Sequence, residues 1–211
     1  RLDSGTYLPD LAEGLSVMAS RLREAGRMRE GVAVSQETVR LRRRLTRYDY
    51  DAHASGLAQA LCRLAVDLSA SGELRDALAS AQESVDLYRG LRRDDSVTDE
   101  TGLVQALVTL SCCLSESGRP SAAFVTAQQA LTVRRRLVRA DPDVHTTRLA
   151  ADLARLAPRL RTVGYVEEAL DLAREAAGLY RRLDEEEIGS CTGDLAGALE
   201  VLAACGAAVG H

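Results

Sequence analysis

Cysteines and histidines are the side chains of this chain that could serve as nucleophiles, general bases or metal ligands. The three histidines are His53, His145 and His211, and the five cysteines are Cys62, Cys112, Cys113, Cys191 and Cys205. A catalytic cysteine needs a base within hydrogen-bond reach, and a metal site needs several ligands close together. No CxxC pair occurs, and His53 and His145 are two repeats apart. We therefore predict no catalytic residue and no metal site, with reduced thiols in a cytoplasmic protein.

A run of arginines, TVRRRLVR at residues 132–139, is compatible with a nucleic-acid contact, a membrane-facing helix or a solvated helix end. The 27 basic residues are all arginine, the acidic residues number 31, and the net charge is −4. A polyanion binder is usually strongly basic, so this balance argues against nucleic acid as the partner. No apolar run approaches the ~18–20 residues that span a bilayer, so we expect no membrane contact.

The sequence repeats at a period of 46 residues. The aligned segments are LAEGLSVMASRLREAG (11–26), LAQALCRLAVDLSASG (57–72), LVQALVTLSCCLSESG (103–118), LAADLARLAPRLRTVG (149–164) and LAGALEVLAACGAAVG (195–210). Each segment ends in a glycine at the same phase, namely Gly26, Gly72, Gly118, Gly164 and Gly210. A long fixed period of this kind indicates a repeat architecture.

Each repeat reads as two helices joined at its glycine. The second repeat predicts one buried helical face through the spacing of Leu57, Leu61, Leu64, Ala65 and Leu68. Gly72 then ends the first helix, and a second helix carries one stripe of Ala77, Ala81, Val85 and Tyr88. No segment alternates like a β-strand, so the chain is predicted to be all-α.

Polar, acid-rich stretches at 94–102, 139–148 and 184–194 read as linkers between repeats. Within the second of them, Asp141 followed by Pro142 predicts an N-cap and a first helical proline. The arginine run itself recurs at the end of each second helix, in a column of Arg43, Arg89, Arg135 and Arg181. Acids follow each arginine cluster, so we interpret the column as a solvated helix end with local counter-charges. These acids are Asp49 and Asp51, Asp94 and Asp95, Asp141 and Asp143, and Asp184 to Glu187.

The spacing within each repeat resembles that of the tetratricopeptide repeat. The signature positions are occupied in the second repeat by Leu61, Leu64, Ala65, Leu68 and Ala77, and in the third by Leu107, Leu110, Ser111, Leu114 and Ala123. The fourth repeat has Leu153, Leu156, Ala157, Leu160 and Ala169. In the first repeat Leu15, Met18, Ala19 and Leu22 fit, but Gly31 at the small-residue position departs from the signature. The aromatic residues of the signature are replaced by Leu and Ala, and the period exceeds the usual ~34 residues. This resembles a long-repeat subtype of bacterial regulatory proteins.

The resemblance implies a right-handed α-solenoid of stacked antiparallel helix hairpins. We expect one domain over residues 1–211, with repeats at approximately 11–56, 57–102, 103–148 and 149–194 and a partial repeat at 195–211. Because the sequence does not start with Met, we expect it to be a fragment of a longer protein. The function implied is a non-catalytic scaffold without a cofactor, which binds a protein or peptide on its concave face.

In the family, the first helix of each repeat lines the concave face. Helical phase then assigns to this groove the side chains that lie off the buried stripe. They are Glu13, Ser16, Ser20 and Arg23 in the first repeat, Gln59, Cys62, Val66 and Ser69 in the second, Gln105, Val108, Cys112 and Ser115 in the third, and Ala151, Ala154, Pro158 and Arg161 in the fourth. Such a small, weakly polar lining favours an apolar helix or an extended peptide, with Gln59 and Gln105 bonding to its backbone.

Two other functions stay open, a ligand-gated regulatory module of a larger signalling protein and a self-association module. The last segment bears on the second, because Leu195, Leu199 and Leu202 are expected to cover the fourth repeat. A second apolar face would then be left on the C-terminal helix for a homo-oligomer, formed by Val201, Ala204, Ala208 and Val209. Pro158 removes a backbone donor within a first helix and predicts a kink there. Cys62, Cys113 and Cys205 read as buried small residues.

Overall fold

The computed structural model describes residues 4–91, 97–186 and 191–209, and within these ranges the chain is α-helical without a strand. The helices there are α1 (Ser4–Glu24), α2 (Met28–Tyr48), α3 (Tyr50–Ala70), α4 (Leu74–Leu91), α5 (Val97–Glu116), α6 (Pro120–Ala140), α7 (Pro142–Thr162), α8 (Val166–Glu186) and α9 (Thr192–Val209). First helices of the repeats carry odd numbers and second helices carry even numbers. The predicted all-α class, a solenoid of helix hairpins, is confirmed.

The chain divides into two units, residues 1–113 and residues 114–211. In the first unit α1 packs on α2, α2 on α3 and α3 on α4, and the unit also holds α5 as far as Cys113. In the second unit α6 packs on α7, α7 on α8, and α9 on both α7 and α8. Short turns between packed helices make each pair an antiparallel hairpin.

The repeated glycines make the turns inside these hairpins. Gly26, Gly72, Gly118 and Gly164 have φ angles of 73°, 84°, 68° and 96°, a left-handed conformation that a side chain would strain. At the first of these turns, Arg27 N–H donates to Leu22 O and Gly26 N–H donates to Arg23 O. This is the Schellman pattern, which satisfies carbonyls at a helix end. The predicted role of the four glycines is confirmed, and Gly210 lies outside the described residues.

The predicted apolar stripes form the core. In α3 the five stripe residues Leu57, Leu61, Leu64, Ala65 and Leu68 are all buried, and so are Ala77, Ala81, Val85 and Tyr88 of α4. The core therefore consists mainly of leucine, alanine and valine. Alanine in the second helices allows close helix packing.

The predicted linkers are wrong in extent, because the chain is helical over much of them. α5 already begins at Val97, and α8 continues to Glu186. Between α6 and α7 only Asp141 is non-helical; its carboxylate accepts from Val144 N–H at 3.3 Å, which confirms the predicted N-cap. Asp49 caps α3 in the same way through Ala52 N–H. Acids near a helix N-terminus complement its dipole, so an acid-rich stretch fits a first helical turn as well as a loop.

The arginine column forms ion pairs that the sequence did not predict. Arg43 Nη2 lies 2.6 Å from Glu83 Oε2, and Arg135 Nη2 lies 2.6 Å from Glu175 Oε2. In both cases the partner lies on the second helix of the next repeat, so the interpretation of acids in the linkers as the counter-charges is wrong for these two arginines. Asp94, Asp95 and Glu187 lie outside the described residues.

Two predictions about the terminal helices are corrected. Met18 occupies a signature position in α1, yet it is exposed, as are Tyr7 and Leu11 on the same helix. In α9 the buried residues are Ala198 and Cys205, whereas Leu199, which was expected to cover the fourth repeat, is exposed. Leu195 and Leu202 are half-buried. The side chains of Ala208 and Val209 lie outside the described part.

Candidate functional site

The five cysteines and His145 are buried, and His53 is half-buried. The thiol of Cys62 is buried, and its Sγ lies 3.4 Å from Thr109 Oγ1. In the described ranges no cluster of His, Cys, Asp and Glu has the composition to hold a metal ion, and His211 lies outside them. No helix in the described ranges has the length and hydropathy to cross a membrane.

A buried ion pair in the second unit joins α6 to α7. Arg134 Nε donates to Asp152 Oδ2 at 2.7 Å, and both side chains are more than nine-tenths buried. His145 is buried beside this pair, and its pKa is lowered by burial and by the charges of Arg134 and Arg148. Burial also raises the pKa of Asp152, an effect that Arg134 opposes. The cluster holds two helices together and offers no open site.

The structure leaves part of the predicted groove accessible. One member from each repeat is exposed, and these are Glu13, Gln59, Gln105 and Ala151. Seven others are half-buried, and they are Ser20, Arg23, Val66, Ser69, Ala154, Pro158 and Arg161. The kink at Pro158 stays a prediction, since α7 continues through it from Pro142 to Thr162. Ala151, Ala154, Pro158 and Arg161 belong to the second unit.

The other five members of the predicted groove are buried. They are Ser16, Cys62, Val108, Cys112 and Ser115. Ser16 lines a cavity within the first unit, and for the other four the assignment to an open surface is corrected. The reason is visible at two of them, which face a neighbouring first helix instead of solvent. Cys62 on α3 contacts Thr109 on α5, and Ser115 Oγ donates to Arg159 O on α7 at 3.2 Å. First helices that pack this closely leave no room for a ligand between them.

Between α1, α2 and α3 the packing opens instead into a cavity of about 380 Å³, hereafter the α1–α3 cavity. The structure brings together here the four groove residues that were predicted in the first repeat. Its polar lining includes Glu13, Ser16, Ser20 and Arg23 of α1, Ser35 and Thr38 of α2, and Arg63 and Asp67 of α3. It lies wholly within the first unit.

Asp67 forms the centre of a polar network in this cavity. Its side chain is 3% exposed, and it accepts from Arg23 Nη1 at 2.7 Å and from Ser35 Oγ at 2.6 Å. Arg23 Nη2 also donates to Ser20 Oγ at 3.1 Å. Hydrogen bonds to a buried carboxylate are shorter and stronger than neutral ones, so this network fixes the spacing between α1 and α3.

Sequence reasoning missed Asp67, Ser35, Thr38 and Arg63 as site residues. A signal was available, because Asp67 directly precedes Leu68 of the buried stripe. Ser35 and Thr38 likewise lie among the buried apolar residues of α2. Polar side chains on a buried helical face require partners, so their presence indicates either a network or a site.

A second cavity of about 330 Å³ lies in the second unit between α6, α7 and α8. Its lining includes Phe124, Leu131, Leu160 and Leu172, with Glu168 also present. The ring of Phe124 stacks on that of Tyr165 with centroids 4.3 Å apart. Sequence reasoning missed this cavity, in part because Ala127 and Leu160 of its lining occupy positions that were assigned to packing.

Comparison with known proteins supports the fold. No model of a known protein family matches the chain, and no curated protein matches it. Among solved structures, the chain is similar to a crystal structure of a Podosopora anserina putative kinesin light chain with nearly identical TPR-like repeats, and to a variant of that protein. The identity is 18% in both cases, with TM-scores of 0.69 and 0.70, over 96% of this chain and 88% of the other. The chain therefore has the fold of a TPR-like helical-repeat protein.

Proposed function

We propose that the chain is a non-catalytic scaffold that binds a protein or peptide along the face of its first helices. The observation that carries this proposal is the α1–α3 cavity, which is lined by Glu13, Ser16, Ser20 and Arg23. Helical-repeat proteins use such extended faces to bind partners. The partner we propose is a mainly apolar helix or extended segment.

Two exposed glutamines extend this surface along the first unit. Gln59 on α3 and Gln105 on α5 are one period apart, and both are exposed. An amide side chain can both donate to and accept from a peptide backbone, so these residues can bind a partner without reading its sequence. The cavity would then supply the selective contact, and the glutamines would orient the segment that leads into it.

Peptide selection from a displayed random library, with the purified chain as bait, tests the proposal. The blocking variant is Gln59→Arg with Gln105→Arg, which places two bulky cations on exposed positions without touching the core. The matched control is Gln82→Arg with Gln128→Arg, the same changes at exposed positions of the second helices α4 and α6. We expect the blocking variant to weaken selected peptides about tenfold or more, equivalent to about 1.4 kcal/mol, and the control to change affinity less than about twofold. Failure to enrich any peptide, or an equal loss in both variants, would reject the scaffold function.

Self-association is a second candidate, favoured by the apolar surface of the terminal helices. Tyr7, Leu11 and Met18 are exposed on α1, and Leu199 is exposed on α9. Light scattering across a concentration series measures the mass directly. We expect a Leu199→Glu variant to shift a self-associating chain toward monomer, and a wild-type chain that is monomeric throughout would exclude this candidate.

A further inference from the structure

We infer that the α1–α3 cavity binds an acidic side chain of the partner peptide, with Arg63 as the residue that recognises its carboxylate. This inference rests on the proposed scaffold function and names the chemistry of its anchor.

The three carboxylates of the cavity are already paired with arginines. Asp67 pairs with Arg23 at 2.7 Å and Glu24 pairs with Arg21 at 3.0 Å. Glu13 pairs with Arg42 at 3.3 Å. A basic ligand group would therefore have to compete with a guanidinium at each carboxylate. The cavity does not favour a cation.

Arg63 is the exception among the arginines of the cavity. It lies half-buried on α3, and no hydrogen bond or ion pair joins it to any residue in the described part of the chain. A guanidinium that is partly removed from water gains from an anionic partner, and its fork of N–H groups matches the two oxygens of a carboxylate. Because Glu13 takes its partner Arg42 from outside the lining, the guanidinium of Arg63 is the charged group of the lining that has no ion-pair partner in the described part of the chain.

The hydroxyl groups of the cavity add one available donor. Ser16, Ser35 and Thr38 already donate their protons, to Ala12 O, to Asp67 Oδ2 and to Val34 O respectively. Ser20 Oγ instead accepts from Arg23 Nη2, so its own proton is not used by any described residue. Ser20 can therefore donate to an anion in the cavity while Arg23 holds it in place.

A carboxylate suits this arrangement better than a phosphate group. One unmatched guanidinium balances one negative charge, whereas a phosphomonoester carries close to two at neutral pH and would lie near Asp67 and Glu24. The anchor we assign is therefore a glutamate or aspartate side chain within an otherwise apolar peptide.

Titration with small probes, followed by NMR of the arginine side chains, tests the assignment. The probes are N-acetylglutamate amide, its glutamine counterpart and N-acetylphosphoserine amide. The variant is Arg63→Gln, and the matched control is Arg44→Gln, a change at an exposed arginine of α2 outside the cavity. We expect saturable binding of the glutamate probe in the millimolar range, with at least about tenfold weaker binding of the glutamine probe and of the Arg63→Gln chain. The Arg44→Gln chain should bind as wild type does.

Three outcomes would overturn the inference. They are a glutamate probe that does not saturate, an equal loss in the two arginine variants, and tighter binding of the phosphoserine probe than of the glutamate probe. Peptide selection on the wild-type and Arg63→Gln chains separates this failure from failure of the scaffold function. If peptides that lack an acidic residue enrich equally on both chains, the scaffold function stands and the acidic anchor is refuted. If neither chain enriches a peptide, the scaffold function is refuted.

Discussion

Gly102 offers a direct test of how closely successive repeats pack. This glycine lies in α5, and a Cβ atom added to it would overlap Cε1 and Cζ of Tyr88 and lie 2.7 Å from its hydroxyl oxygen. The Tyr88 ring is 5% exposed, and burial raises the pKa of its phenol to about 12, so it stays neutral in the core. Gly102→Ala must therefore displace a packed side chain.

The magnitude follows from two opposing effects. Alanine is favoured over glycine inside a helix by about 1 kcal/mol, whereas inserting a methyl group into a packed core costs about 1–3 kcal/mol. Gly14→Ala in α1 isolates the first effect, because no atom lies within 4 Å of the Cβ position there. We expect Gly102→Ala to be less stable than Gly14→Ala by about 1–3 kcal/mol.

Urea unfolding followed by far-UV circular dichroism measures both variants against wild type. Adding Tyr88→Leu to Gly102→Ala removes the ring that the methyl group meets. The double-mutant cycle should therefore show that Tyr88→Leu costs less in the alanine background than in wild type. If Gly102→Ala stabilises the chain as much as Gly14→Ala does, or if the cycle shows no coupling, the described contact between α4 and α5 is wrong.

Three further predictions concern the second unit. Asp152→Ala should destabilise it by about 3–5 kcal/mol in urea unfolding, because Arg134 is left buried without its counter-ion, and Arg134→Met with Asp152→Leu should recover much of that loss. The pKa of His145 is lowered in the folded chain, so the unfolded chain takes up a proton there first as the pH falls below 6.5. Wild type should therefore lose stability with acidification more steeply than His145→Gln. The contribution of Asp152 to the pH dependence of the unfolding free energy has the opposite sign. Because both wild type and His145→Gln contain Asp152, this contribution should largely cancel when the two are compared. Asp141→Ala should cost about 1 kcal/mol in thermal unfolding and Asp141→Asn much less, because asparagine still caps α7.

The hairpins could be predicted because they depend on local physics. A glycine at a fixed phase is required wherever the chain enters the left-handed region, as at Gly72 with a φ of 84°. The stripe from Leu57 to Leu68 is buried because its spacing puts one face of α3 toward the core. Neither feature needs knowledge of a residue far away in the sequence.

The groove could be predicted only in part, because helical phase gives the direction of a side chain and not the distance to the next helix. Gln59 and Cys62 share a predicted face, yet Gln59 is exposed and Cys62 contacts Thr109. The same limit hid Asp67, whose partner Arg23 precedes it by 44 residues. Recognising that contact requires the spacing between α1 and α3, which the period alone does not supply.

A single column of the repeat shows how one backbone period carries different chemistry. One equivalent position in the second helix of the four repeats, spaced by 46 residues, is occupied in turn by Arg42, Tyr88, Arg134 and Tyr180. Arg42 Nη1 lies 2.9 Å from where a Cβ of Gly56 would be, and Tyr88 packs over Gly102 at the equivalent place. In the second unit Arg134 instead forms an ion pair with Asp152. Burial, and then the charge of Asp194, raise the pKa of Tyr180 to about 12.

The substitutions on the facing first helix match these large side chains one by one. Gly56 and Gly102 leave room for the side chains of Arg42 and Tyr88. Asp152 supplies a negative charge for Arg134, whereas the equivalent positions of α3 and α5 are Ala60 and Ala106. Exchanging one large residue for another, as in Arg134→Tyr, would therefore leave the buried carboxylate of Asp152 without the hydrogen bond from Arg134. Since burying an unpaired charge costs more than a packing defect does, each repeat boundary is specific to its own pair of residues, even though the hairpins themselves follow one pattern.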